Sequence, residues 1–306
     1  MTSVKVGKGM QFPNEAQKIT MVTGKGGVGK STVAAGIAEV YAKRGLKTLL
    51  VELGEHSYYQ YVYQTPIHYE PTQISNNFHI SLWSGESALR EYVYHLLKVR
   101  KIVDLFFDNK IMRTFIRAAP ALKELAVLGK ITSGIRQWGP PLEFDRIVVD
   151  AFSTGHFLAL LQAPIGMADL IESGPMGEQS RRIRDVIERA DLCQYVIVTL
   201  PEELPASEAI ELNADLKSRY GVNASIICNR VYEAGLNRDD FLQIKRSDPS
   251  NSSDAFAEFV LNTIQSQARQ LKELERALKE FHVLPLVFSD ASQTVIEMLS
   301  QKLNWV

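Results

Sequence analysis

The chain has 306 residues, 45% of them hydrophobic, enough to bury a large core but short for two independent domains. Its 34 basic and 35 acidic side chains nearly cancel, which excludes a global field favouring nucleic acid or an anionic membrane. It has only 2 cysteines, Cys193 and Cys228, which form no CxxC pair; this argues against a structural zinc site, and each thiol reads as a small buried apolar residue in a reducing compartment.

In chain order, the N-terminus lacks the apolar core of a signal peptide and no run of 18 apolar residues follows, so a soluble cytoplasmic protein is expected. ITMVT (19–23) is a first strand that breaks into the glycine-rich GKGGVGKS (24–31) and opens a helical pattern, STVAAGIAEVYAKRG. TLLVEL (48–53) and FHISLW (78–83) read as the next strands. From Glu86 to Trp138 no strand is visible. Three or so helices, split near Asp108 and Pro120, form an α-helical insertion over 86–138. Its apolar positions, Leu96, Val99, Val103, Ile111, Ile116 and Leu128 among them, recur at helical spacing and suit either a satellite core or a partner-binding groove.

Four further apolar runs follow: RIVVD (146–150), YVIVTL (195–200), ASIIC (224–228) and VLPLVF (283–288). Pro205 begins a helix that Gly221 ends. A polar linker over 247–253 precedes a long solvated helix, and the amphipathic C-terminus carries Lys302 as its one cation, which favours core packing over membrane contact. Strands apolar throughout are covered on both faces. The expectation is therefore one α/β domain over 1–306, with a doubly wound, mostly parallel sheet of about seven strands and the insertion between the third and fourth. Ligands of such a sheet bind at the strand carboxyl ends.

The strand–loop–helix order around GKGGVGKS identifies a phosphate-binding loop. Gly24, Gly26, Gly27 and Gly29 permit backbone angles that aim amides at an anion, and Val28 and Thr32 belong to the same run of nucleotide-contacting positions. Lys30 supplies a charge for the β- and γ-phosphates and Ser31 a hydroxyl for Mg²⁺. Asp150, at a strand end, places a carboxylate where it can hold the same ion through water.

GKGGVGKS, with its second lysine Lys25, resembles the deviant Walker A motif of P-loop ATPases that include MinD, ParA, the nitrogenase iron protein and the arsenite-pump and tail-anchored-protein targeting ATPases. Asp150-Ala-Phe-Ser-Thr-Gly155-His156 resembles the switch II segment of the last branch, with Phe152 and Ser153 in place of Ala-Pro. The resemblance implies ATP or ADP and Mg²⁺ as ligands, a homodimer in which Lys25 reaches the partner's phosphates, and a Gly155 amide near the γ-phosphate. ICNRV (227–231) resembles the adenine loop, which implies that Asn229 bonds the base and Arg230 covers it. His156 is open between a switch role and a local helix-end role.

One departure follows the second strand. In the family that the chain resembles, this strand ends in a water-activating aspartate, and ungapped alignment from Lys47 puts Gly54 at that place, between Glu52 and Glu55. Either glutamate has the reach to substitute. Tyr58, Tyr59, Tyr61 and Tyr63 come next, either as contact surface or as an ordinary packed helix. The resemblance thus implies an ATP-hydrolysing homodimeric switch with an unassigned client. The alternatives are a nucleotide-gated binding module with little hydrolysis, or a positioning ATPase acting on membrane or DNA. Arsenite transport is disfavoured, since no three-cysteine cluster exists.

Overall fold

The chain alternates strand and helix from its first apolar run onward, and the computed structural model describes residues 17–118, 120–171, 173–232 and 252–303. The strands are β1 (Ile19–Gly24), β2 (Thr48–Leu53), β3 (Thr72–Ser75), β4 (Phe78–Trp83), β5 (Arg146–Ser153), β6 (Cys193–Thr199), β7 (Ser225–Val231) and β8 (His282–Pro285). They form one sheet in the order β3-β4-β2-β5-β1-β6-β7-β8, parallel except where β3 runs against β4. The architecture is the expected α/β one, with eight strands rather than seven. The additional strand is the edge strand β3, whose TQIS is too short and too exposed to register as an apolar run.

The helices are α1 (Lys30–Lys43), α2 (Tyr59–Val62), α3 (Gly85–Leu97), α4 (Arg100–Asp108), α5 (Lys110–Ala118), α6 (Pro120–Arg136), α7 (Thr154–Leu170), α8 (Pro175–Ile187), α9 (Glu203–Tyr220), α10 (Ser252–Ala277) and α11 (Ser292–Leu303). Alternation along the strands divides the core in two. Leu49, Val51 and Leu53 of β2 enter one apolar cluster, whereas Leu50 enters the other. The first cluster draws in residues of α3 to α10, and the second residues of α1, α2 and α11. Cys193 and Cys228 are both buried and unbridged.

Between β4 and β5 stand four helices, α3 to α6, where the sequence reading counted three or so. Ser84 and Ser87 close a reciprocal capping box at the start of α3. Of the apolar positions at helical spacing, Val103, Ile116 and Leu128 are buried, while Leu96, Val99 and Ile111 face solvent. The linker expected over 247–253 falls largely outside the described residues, and Ser252 already opens α10. In α11, Ile296, Leu299 and Leu303 are buried in the α1-side cluster, and the Leu303 Cδ1 lies 3.0 Å from where a Cβ on Gly36 would stand. No helix among the described residues is long and apolar enough to cross a membrane.

The sheet order places β1 between β5 and β6. The chain leaves β1 for β2 on one side and later passes from β5 to β6 on the other, so the β1 carboxyl end lies at the reversal of strand order, where such sheets bind ligands.

Candidate functional site at the carboxyl ends of β1 and β5

Residues 24–29 turn the chain from β1 into α1. Gly24 has φ +142°, and a Cβ there would stand 2.1 Å from the Val198 carbonyl oxygen of neighbouring β6. Gly29, at φ +93°, is the N-cap of α1 and would press a Cβ to 2.4 Å from the Asn229 amide nitrogen. Gly27 also adopts positive φ, Gly26 does not, and both are exposed with open space where a Cβ would stand. The Lys30 Nζ folds back over the loop and donates to the Lys25 carbonyl at 3.0 Å. Burial lowers the Lys30 pKa, against an opposing pull from Asp150.

Parallel pairing sets Asp150 beside Val22 of β1 and Glu52 of β2. Asp150 is buried, and burial pushes its carboxyl up to about 6 despite hydrogen bonds from the Ser31 and Tyr59 side chains. The Tyr59 hydroxyl donates its one proton between Asp150 Oδ2 at 3.1 Å and the Ser31 carbonyl at 2.8 Å. A buried carboxylate contacting hydroxyls, with a serine hydroxyl beside it, is a hard-oxygen donor set that fits Mg²⁺, which needs few protein ligands when phosphates and water complete its shell. Among the described residues no cluster of three or more His, Cys, Asp or Glu offers a different metal centre.

The two candidate bases part company. Glu52 is buried and accepts hydrogen bonds from the Ser57 hydroxyl and the Tyr58 amide, each at 2.6 Å. Burial raises its pKa, opposed by those bonds and one from the Tyr59 backbone. Glu52 thus fastens the segment that follows it. Glu55 is exposed, and Gly54 is half-buried between them.

The remaining candidate residues surround the loop. Lys25 forms an ion pair with Glu208 of α9, on its own chain. Asn229, which the resemblance assigns to a base, is buried and donates from Nδ2 to the Val28 carbonyl at 3.0 Å, bracing the loop against β7. Arg230 sits at φ +58° with its side chain exposed. Asn229, Arg230, Thr32, Tyr58 and Leu286 line a cleft of about 320 Å³ beside α1. Gly155 and His156 occupy the exposed first turn of α7, the His156 ring edge-on to Phe152 at 6.1 Å between centroids.

Tyr59, Ser57 and Glu208 were not singled out as site residues from sequence. Tyr59 lay within the noted tyrosine-rich stretch, but no local period indicates which of those rings turns inward. Glu208 carries no signal at all.

Comparison with known proteins gives a consistent result. The family model described as anion-transporting ATPase matches residues 17–176. ATPase BagA of Mycobacterium tuberculosis is 31% identical over 242 residues, covering 73% of this chain and 68% of its own. An Escherichia coli arsenical pump-driving ATPase is 28% identical over 208 residues, covering 67% of this chain and 33% of its own length. A Halobacterium salinarum relative, named provisionally as an arsenical pump-driving ATPase, is 28% identical over 232 residues. This chain spans only about a third of the latter two relatives, 33% and 35%.

Proposed function

Because the chain belongs to the anion-transporting ATPase family, we propose that it binds Mg²⁺-ATP at the β1–α1 loop and hydrolyses it as a homodimeric switch acting on a partner or client protein. The observation carrying this reading is the convergence of Lys30, Ser31 and Asp150 at the carboxyl ends of adjacent strands, with the Ser31 side chain bonded to Asp150.

In this reading the loop amides and the positive end of α1 receive the phosphates. Lys30 exchanges the Lys25 carbonyl for phosphate oxygens, while Thr32, Asn229 and Arg230 border the cleft that takes the nucleoside. Ser31 and Asp150 would hold Mg²⁺, which would supply charge neutralisation at the phosphates. Lys25 leaves Glu208 to reach the phosphates held by a second copy, adding a cation where charge develops. Gly155 offers its amide to the γ-phosphate and gives α7 a start that shifts when that phosphate is lost.

The experiment is ATP turnover together with sedimentation in the presence of nucleotide. Lys30→Ala is expected to abolish nucleotide binding. Lys25→Ala is expected to retain binding but lose turnover by about 10³-fold, the scale of a cation supplied in trans. Equal turnover in Lys25→Ala refutes the trans role.

A second reading, a nucleotide-gated module with little intrinsic hydrolysis, is favoured by one observation. Glu52 is committed to hydrogen bonds within its own segment, and Gly54 carries no carboxylate. Glu52→Gln and Glu55→Gln distinguish the two readings, since unchanged turnover in both variants eliminates these side chains as bases.

A further inference from the structure

Tyr59 belongs to a segment that follows β2, yet its hydroxyl reaches the site formed by β5 and α1. The ring is fully buried, 5.4 Å centroid to centroid from Tyr58 and 6.4 Å from Tyr63. Its hydroxyl stands 2.8 Å from the Ser31 carbonyl and 3.1 Å from Asp150 Oδ2. The two acceptors share one hydroxyl proton, so the group links the first turn of α1 to the carboxylate. The other end of the same short segment is fixed by Glu52 through Ser57 and the Tyr58 amide. Glu52 and Asp150 are themselves register partners in β2 and β5. Residues 52–59 therefore form a closed loop of contacts that runs from one carboxylate to the other.

We propose that Tyr59 is a positioning residue that makes metal binding at Asp150 and the placement of residues 54–63 a single event. Its hydroxyl orients the Asp150 carboxylate for the cation, as outer-shell hydrogen bonds orient metal ligands generally. Occupancy of that carboxylate in turn fixes the segment carrying Glu55 and Tyr58. The proposal rests on the reading that the loop binds Mg²⁺-ATP and deepens it. Ring packing alone predicts that removing the hydroxyl is silent, because phenylalanine fills the same space.

The test uses the full chain and a fluorescent ATP analogue, titrated with Mg²⁺ and, separately, in EDTA. Tyr59→Phe is compared with Tyr63→Phe, which loses a hydroxyl bonded to Glu39 at 3.2 Å and leaves Asp150 untouched. In EDTA both variants are expected to bind the analogue like the unsubstituted protein. With Mg²⁺, Tyr59→Phe alone is expected to need about tenfold more cation. Hydrogen exchange supplies a second readout: Mg²⁺ added to the nucleotide complex is expected to protect residues 54–63 in the unsubstituted protein and not in Tyr59→Phe. An unchanged Mg²⁺ requirement in Tyr59→Phe overturns the proposal. So does the absence of Mg²⁺-dependent protection at 54–63 in the unsubstituted chain, whatever the variants do. Failure of the unsubstituted chain to bind nucleotide at all overturns the functional reading, and the proposal with it.

Discussion

At the residue scale, Asp150 makes one pH-dependent contribution to the stability of the ligand-free protein. Its folded pKa of about 6 lies above the ordinary 3.8 because burial penalises the charge. A carboxyl raised on folding contributes stability that is present below its unfolded pKa and lost as pH rises through the folded one. The loss runs from about pH 4 to pH 6 and is on the order of 3 kcal/mol. Asp150→Asn is therefore expected to melt higher than the unsubstituted protein at pH 7.5 without nucleotide, the gap shrinking as pH falls from 6 toward 4. Thermal melts across that range check this, and Mg²⁺-dependent nucleotide binding should be lost in the same variant. Lys25 and Glu208 are each about a third exposed, 33% and 34%, so the stability effect of their pair is small, within about 1 kcal/mol. Glu208→Gln is expected to leave the melting temperature nearly unchanged while shifting ATP-dependent dimerisation to lower protein concentration, as read by sedimentation. Lys30, Ser31 and Asp150 were legible because each needs only its place after a strand. Tyr59 and Glu208 were not, because their partners lie 91 and 183 residues away and no spacing encodes such contacts.

At the element scale, the turn from β1 into α1 is fixed by backbone that cannot yield. Gly24→Ala places a methyl against the Val198 carbonyl at a φ hostile to side chains, and a loss of at least about 3 kcal/mol is expected in urea denaturation. The face between α1 and α11 is ordinary core. Leu303→Ala should cost about 2 to 5 kcal/mol, whereas Ile111→Thr on exposed α5 should stay within about 0.5 kcal/mol. The contrast explains what periodicity conveyed. Helical spacing revealed that the insertion is helical, but in α3 to α5 it does not separate apolar residues facing the core from those facing water. Leu96 and Val103 look alike in sequence, and only packing distinguishes them. Residues 72–75 show the opposite limit: TQIS is a strand because β4 pairs with it, and its own side chains carry too little apolar pattern to announce it.

At the scale of the whole molecule, parallel strands apolar throughout revealed the doubly covered sheet, and the loop after the first of them pointed to its carboxyl end as the place of the candidate site. What sequence could not convey is strand order, which alone makes Asp150 and Glu52 neighbours. The same order has a consequence for association. Both margins of the sheet are blunted: β3 is four residues long with Gln73 and Ser75 exposed, and β8 is four residues long and ends in Pro285, which has no amide to offer. Among the described residues neither margin is a template for strand-to-strand growth. Two copies that pair as proposed therefore gain no ladder of backbone bonds at these margins, and a contact without such a ladder can come apart when the nucleotide proposed between the copies changes.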